Sequence, residues 1–163
     1  MPEKRTVERA RKLARRGRSP STQAGEFVRE EIEHIREGKH GAQSTKQAIA
    51  IGLSKARRAG VKLQAPRKGT TSRATRRRAQ RDLRRSGRMA ASPRRSRATL
   101  GALRRKPRAA ASPTALARQA KSAARNRGRS ARSAAARKAV RTKGPRKRSE
   151  AARKAARTRA RAS

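Results

Sequence analysis

Arginine and lysine side chains carry the most evident chemistry in this sequence. The 163-residue chain has 51 Lys and Arg against 9 Asp and Glu, a formal net charge of +42. Residues 66–163 alone hold 35 basic and 2 acidic residues. Guanidinium and ammonium groups bind phosphate oxygens, and the release of counterions from a polyanion drives such binding. This charge density therefore predicts a nucleic acid as the partner.

The predicted phosphate contacts stand in short basic runs separated by Pro and Gly. Fifteen residues make up this set: Arg76, Arg77, Arg78, Arg81, Arg84, Arg85, Arg94, Arg95, Arg97, Arg104, Arg105, Lys106, Arg146, Lys147 and Arg148. No run has zinc-finger spacing or the mixed amide and arginine pattern of a recognition helix, so we expect binding that is independent of sequence. Phe27 is the only aromatic residue, which favours duplex DNA over base-stacking recognition of RNA.

No pattern of residues predicts an enzyme. The chain has no Cys, and His34 and His40 are its two imidazoles. Glu30, His34 and Glu37 fall on adjacent turns of a predicted helix, but such an exposed set is incomplete for a metal ion. We therefore predict no metal site and no cofactor. The segment 38–41 (GKHG) is too short for a phosphate-binding P-loop and follows a helix, so we interpret it as an inter-helix loop.

An acidic ridge is predicted on the same helix. Its members, which fall within about 60° of one another on a helical wheel, are Glu26, Glu30, Glu33 and Glu37. A negative face repels DNA, so it is not expected to contact the duplex. The alternatives are a solvated face, a protein-contact surface, or a brake that pairs with the chain's own basic segment.

Two helices are expected to position these side chains. The first is predicted to begin at Ser21 or Thr22 as N-cap and to end before Gly38. The second begins at Ser44, whose spacing to Gln47 is that of a capping box, and ends at Gly60. The short connection makes the helices antiparallel neighbours. A third, weaker helix is predicted between Glu3 and Arg16.

The predicted core of this helical hairpin is an apolar stripe with helical spacing. It comprises Phe27, Val28, Ile32, Ile35, Ile49, Leu53 and Val61. Glu31 falls inside the apolar arc and is expected to pair with Lys46 or Arg57 from the second helix. So small a core stabilises the hairpin only marginally against chain entropy, and we expect it to self-associate or to order fully on a protein partner.

The rest of the chain has little to bury. Only 16 of the 163 residues are Leu, Ile, Val or Phe, and Ala dominates the apolar class. Like charges three and four residues apart repel one another within a helix. We therefore predict a mostly α and disordered fold class: a basic N-terminal arm at 1–19, a helical-hairpin head at 20–65 and a disordered, low-complexity Arg/Ala-rich tail at 66–163.

Targeting and membrane signals are not apparent. No apolar run approaches the roughly 18 residues of a membrane span. The opening residues Met1–Arg5 start no apolar stretch of a secretory signal. The sequence accordingly predicts a cytoplasmic protein without a membrane partner.

Three head segments carry a resemblance to known proteins: residues 25–32 (GEFVREEI), 39–42 (KHGA) and 44–53 (STKQAIAIGL). Together they resemble a family of small basic bacterial proteins with a domain of unknown function, often described loosely as DNA-binding. The composition of residues 66–163 resembles the C-terminal domains of linker histones and the bacterial histone-like proteins, although Arg replaces much of their Lys. These resemblances imply an association with the bacterial chromosome.

The charge pattern and the resemblances together predict a non-enzymatic, nucleoid-associated protein that neutralises and bridges DNA phosphates without sequence preference. One alternative is a basic protein associated with RNA or the ribosome. The other is a protein-interaction module at residues 20–65 whose basic segment only localises it to nucleic acid.

Overall fold

The computed structural model describes residues 2–86 and 92–160. Within these ranges the chain forms seven α-helices and one 3-10 turn. In chain order they are α1 (Lys4–Arg15), α2 (Pro20–Arg36), α3 (Thr45–Arg58), α4 (Arg73–Arg84), α5 (Pro93–Arg104), the 3-10 turn (Ala109–Ala111), α6 (Pro113–Asn126) and α7 (Gly128–Ala160). The predicted fold class is therefore wrong: the chain beyond residue 65 is helical and is not a disordered tail.

Local sequence explains why helices form in the basic region. Ala and Arg are among the strongest helix formers, and their propensity acts over every block between breakers. Ser72 caps α4 by accepting a hydrogen bond from the amide of Thr75 at 3.2 Å. Pro93 and Pro113 stand at the first positions of α5 and α6, where a missing N–H costs nothing. These start signals and propensities outweigh the repulsion on which the prediction of disorder rested.

The two head helices begin at polar caps. Ser44 caps α3 as predicted, accepting from the amide of Gln47 at 3.2 Å, and the Gln47 side chain accepts from the amide of Gln43 at 2.7 Å. For α2 the predicted cap is wrong, because Ser19 caps the helix and Pro20 occupies its first position. Proline has a φ angle that suits this position, which moves the start two residues upstream of Ser21.

Helices α2 and α3 pack antiparallel. Phe27, near the start of α2, lies in one buried cluster with Ala56, near the end of α3. Ile35, near the end of α2, lies in a second cluster with Ala48, near the start of α3. At the crossing Gly52 is so close to α2 that an added Cβ would lie 2.7 Å from the Cα of Val28.

The predicted core residues occupy these two clusters to different depths. Four are buried: Phe27, Ile32, Ile35 and Val61. Val28 and Leu53 are partly buried against the clusters, and Ile49 is half-buried. Helix α1 adds Ala10 to the cluster of Phe27, so the N-terminal segment is a packed helix.

Segments beyond residue 65 complete the same compact unit, which comprises residues 1–119. Helix α4 packs on α3 through the buried Ala79 and through Asp82, whose carboxylate accepts a 2.7 Å hydrogen bond from Ser54. The 3-10 turn packs on α2 and α3, where its Ala110 carbonyl accepts a 2.7 Å hydrogen bond from the Thr45 hydroxyl. These contacts bury surface that an isolated hairpin would expose.

Residues 120–163 form a second compact unit. Its main element is α7, which is kinked where Gly144 has a φ of 68° and is followed by Pro145. Apart from Gly144, which is half-buried, every residue of α7 is exposed. None of the helices in the described ranges combines the length and apolar character that a membrane crossing requires.

We predict that Gly52→Ala destabilises the protein by about 1–3 kcal/mol, because the new methyl group would overlap the backbone of α2. Gly25→Ala is the matched control: this helical glycine has open space around its Cβ position, so the change should stabilise by up to about 1 kcal/mol. Urea unfolding followed by circular dichroism measures both effects. Equal changes in the two variants would contradict the close approach.

The docking of residues 103–107 on the head gives a second prediction. The amide of Gly41 donates to the Leu103 carbonyl at 2.9 Å, and a Cβ on Gly41 would overlap the carbonyl of Lys106. Gly41→Ala should therefore displace this segment and expose the amide of Ala42, which donates to the Pro107 carbonyl at 3.1 Å. Hydrogen exchange measures the loss of protection at Ala42, and unchanged protection would show that the segment is not docked.

Candidate nucleic-acid interface

Helix α4 presents a row of arginines on the side opposite its packed face. Ala79 and Asp82 face α3, whereas Arg73, Arg77, Arg81 and Arg84 are exposed. These four side chains, the arginine row, recur at intervals of four, four and three residues and fall within about 80° on the helix. The row extends over about 16 Å at 1.5 Å per residue.

The charges of the arginine row are available to an outside anion. In the described part of the chain none of its four guanidinium groups is within ion-pair distance of a carboxylate. Neighbouring guanidinium groups at this spacing repel one another, and a bound phosphate relieves that repulsion. Arg73 is absent from the predicted contacts, although its spacing to Arg77 identifies it as part of the row.

The other predicted contacts on α4 divide between two sides of the helix. Arg78 is exposed beside the row, and Arg85 is exposed just after the last turn. Arg76 is half-buried on the side of Ala79. The structure therefore groups five predicted residues, Arg77, Arg78, Arg81, Arg84 and Arg85, on the outer surface of α4.

Helix α5 carries a second, shorter set. Arg94, Arg97 and Arg104 are exposed and fall within about 80° on this helix. Arg105 and Lys106 follow its end and are also exposed. The side chain of Arg95 lies outside the described residues.

The basic residues of α7 are distributed around the helix. Arg146, Lys147 and Arg148 are consecutive and exposed, so their side chains are about 100° apart and do not share one face. Arg146 lies 3.7 Å from the Glu150 carboxylate, but both side chains are largely in solvent, where such a pair adds little stability. Residues 120–163 hold 17 basic residues and 1 acidic residue.

The four glutamates of the predicted acidic ridge do not share one exposed face. Glu30 is only 2% exposed, and Glu26 pairs with Arg9 of α1 at 3.1 Å. Glu37 pairs with Lys39 at 2.9 Å and Glu33 is exposed. Three of these four carboxylates are therefore paired with basic groups of the same unit, and a protein-contact role for the ridge stays a prediction.

A buried ion-pair cluster connects α2 and α3. The Lys55 ammonium lies 3.1 Å from Glu30 and 2.7 Å from Glu31, and both glutamates are almost fully buried. Lys55 thus takes the place of the partners predicted for Glu31. Lys46 is exposed, and Arg57 donates to the carbonyl of Leu63 at 3.2 Å.

Burial and charge shift the pKa values of three groups. The hydrogen bond from His34, followed by that from Lys39, lowers the pKa of Glu3 below its ordinary value. The hydrogen bond to Glu37 raises the pKa of Lys39. Burial lowers the pKa of Arg57, and the Asp82 carboxylate opposes that shift.

The two histidines lie beside the ion-pair cluster. His40 Nε2 lies 3.4 Å from Glu31 Oε1, and its Nδ1 lies 3.1 Å from the Gly41 carbonyl oxygen. His34 Nε2 is hydrogen-bonded to Glu3 Oε1 at 2.8 Å. Glu30, His34 and Glu37, predicted from the sequence to be an incomplete metal site, do not form a ligand group in the described part of the chain. Glu31, His34 and His40 instead offer ligand atoms that lie within 4.8 Å of one another.

Comparison with known proteins identifies one domain. Residues 21–69, which include most of α2 and all of α3, match a family of unknown function (DUF6496). The predicted resemblance of the head to a domain of unknown function is thereby confirmed. No curated protein and no solved structure matches the chain.

The ion-pair cluster generates a prediction about stability. Lys55→Met removes the ammonium between two buried carboxylates and should destabilise by about 3–5 kcal/mol, because Glu30 and Glu31 stay buried without it. Lys46→Met, at an exposed position of the same helix, should change stability by less than about 0.5 kcal/mol. Urea unfolding at neutral pH measures both, and similar values would contradict the role of Lys55.

Proposed function

We propose that this protein binds duplex DNA without sequence preference and acts as a nucleoid-associated protein that neutralises and bridges phosphates. The observation that best supports the proposal is the arginine row. Four exposed guanidinium groups stand on a helix whose opposite side is anchored to α3 by Ala79 and Asp82. Anchoring reduces the entropy lost when the side chains bind, because the helix is already in place.

The dimensions of the row suit a phosphate backbone. Duplex DNA carries one charge per about 1.7 Å of its axis, so a 16 Å length holds about nine phosphate charges. The phosphates along this length therefore outnumber the four arginines of α4, so each arginine has a phosphate nearby wherever the helix is placed along the DNA. Guanidinium groups also make paired hydrogen bonds to phosphate oxygens, which strengthens each contact.

The composition of α4 argues against reading bases. Reading of adenine typically uses the amide of Asn or Gln, and Gln80 is the only amide side chain of this helix. Gln80 is half-buried. The exposed side is dominated by arginine, which supports contacts to the backbone and not to a particular sequence.

Two basic units in one chain support bridging. Residues 1–119 hold 34 basic and 8 acidic residues, and residues 120–163 add 17 basic and 1 acidic residue. Each unit alone attracts a polyphosphate. A chain with two such units can hold two DNA segments, or neutralise a longer stretch of one.

The proposal is tested by binding of the full chain to a short fluorescent duplex between about 50 and 200 mM salt. The logarithm of the binding constant falls with the logarithm of the salt concentration, and the steepness of this fall counts the phosphate contacts. In the triple variant Arg77→Gln, Arg81→Gln, Arg84→Gln the fall should be less steep by about 2.7, at about 0.9 for each lost contact. Arg5→Gln, Arg11→Gln, Arg15→Gln removes the same charge from exposed positions of α1 and serves as the control.

The control variant should reduce the steepness of the salt dependence by less than half as much as the α4 variant does. Equal slopes would overturn the assignment of the arginine row, and salt-independent binding would overturn the proposal itself. Competitor RNA of the same length distinguishes the main alternative, because preferential displacement by RNA would make an RNA-associated role the better assignment. Absence of binding to either polymer would leave the protein-interaction role of residues 20–65.

A further inference from the structure

Three potential metal ligands converge inside the first unit, apart from the arginine row. Glu31 and His34 lie on α2, and His40 lies on the loop that leads to α3. Glu31 is fully buried, and the side chains of His40 and His34 are 8% and 14% exposed. We propose that Glu31, His34 and His40 bind one divalent transition-metal ion, with Zn²⁺ the best match to this ligand set.

The spacing of His40 and Glu31 fits a zinc ion. Ligand atoms at 2.0–2.1 Å from a tetrahedral Zn²⁺ are about 3.4 Å apart. His40 Nε2 and Glu31 Oε1 are separated by 3.4 Å. The ligand atom of His34 lies within 4.8 Å of the other two and needs a small side-chain adjustment to join them.

The proton of His40 is placed away from Glu31. The Gly41 carbonyl oxygen, 3.1 Å from Nδ1, only accepts hydrogen bonds, so Nδ1 carries the proton of the neutral ring. In the neutral ring Nε2 then directs a lone pair toward a buried carboxylate oxygen, and two electron-rich atoms at this distance repel one another. Either a proton on Nε2 or a metal cation between the two atoms removes this repulsion, and the tautomer with the proton on Nδ1 is the one that binds a metal through Nε2.

Glu3 orients the second histidine. Its Oε1 accepts a 2.8 Å hydrogen bond from His34 Nε2, which leaves Nδ1 of that ring unprotonated in the neutral form. A carboxylate that accepts from the outer nitrogen of a metal-binding histidine is the common supporting contact in zinc sites. Glu3 is itself held by the Lys39 ammonium at 3.4 Å.

Lys55 competes for Glu31 but does not exclude a metal. Its ammonium lies 2.7 Å from Glu31 Oε2, whereas Glu31 Oε1, the oxygen nearest to His40 Nε2, makes no hydrogen bond. Lys55 also donates a 3.1 Å hydrogen bond to Glu30. When Glu31 binds the ion, Lys55 therefore keeps Glu30 as its carboxylate partner.

Two histidines and one glutamate leave a fourth position for water, as in zinc sites with three protein ligands. Nitrogen and oxygen ligands without a thiolate suit Zn²⁺, and Ni²⁺ and Cu²⁺ are the competing ions. The bound ion would join α2 to the loop before α3. This role does not depend on whether the protein binds DNA.

The experiment uses the full chain, freed of metal with a chelator and titrated with ZnCl₂ in competition with a chromogenic chelator. We expect one Zn²⁺ per chain and a higher melting temperature with the ion. His40→Gln and Glu31→Gln should each weaken binding by at least about 100-fold, because loss of an outer partner alone costs about 10- to 100-fold. Glu3→Gln should fall within that smaller range.

Glu33→Gln, an exposed change on the same helix, is the control and should leave affinity unchanged. Circular dichroism of each metal-free variant shows whether it folds. If Glu31→Gln does not fold, His40→Gln and His34→Gln decide, since neither of these rings is as deeply buried as Glu31. Absence of stoichiometric binding by the unaltered chain, or equal affinity in folded histidine variants, would overturn the proposal.

Discussion

The close approach of α2 and α3 at Gly52 is the constraint on which the rest of the first unit depends. With no side chain at this position, the backbone of α3 lies against Val28 and Phe27. That separation allows Lys55 to reach both Glu30 and Glu31 across the helix pair. Helix α4 packs on α3 through Ser54, two residues after Gly52, so the position of the arginine row depends on how α3 is held. Protein interiors are close-packed, and a single methyl group is enough to disturb such an arrangement.

Four of the nine acidic residues form contacts between helices. Glu26 pairs with Arg9, Glu30 and Glu31 with Lys55, and Asp82 accepts a hydrogen bond from Ser54. Each of these contacts joins two helices, so the few negative charges stabilise packing between elements. The outer surface is left strongly basic as a consequence. The buried carboxylates Glu30 and Glu31 lie between α2 and α3, whereas the arginine row of α4 lies toward solvent.

Local signals in the sequence predicted local structure well, and contacts between distant residues account for what they missed. Ser44 and Gln47 identified the start of α3, and the breakers Pro93, Pro113 and Gly128 fall at helix starts. The disorder predicted beyond residue 65 was wrong for two reasons. The prediction gave too little weight to the helix propensity of Ala and Arg. It also could not foresee that Ala79 and Ala110 become buried against the head. Lys55 was missed as the partner of Glu31 because the helical wheel gives no distance between helices. The convergence of His40 with His34 depends on the path of a loop, which periodicity does not reveal.

The kink in α7 has a mechanical consequence. An unbroken helix of this length would be straight or only gently curved. Gly144 and Pro145 divide it into two arms of about 24 Å each. The non-helical conformation of Gly144 therefore gives the two arms different directions. Under the proposed function, two basic arms set at an angle would follow the DNA without the energetic cost of bending the duplex.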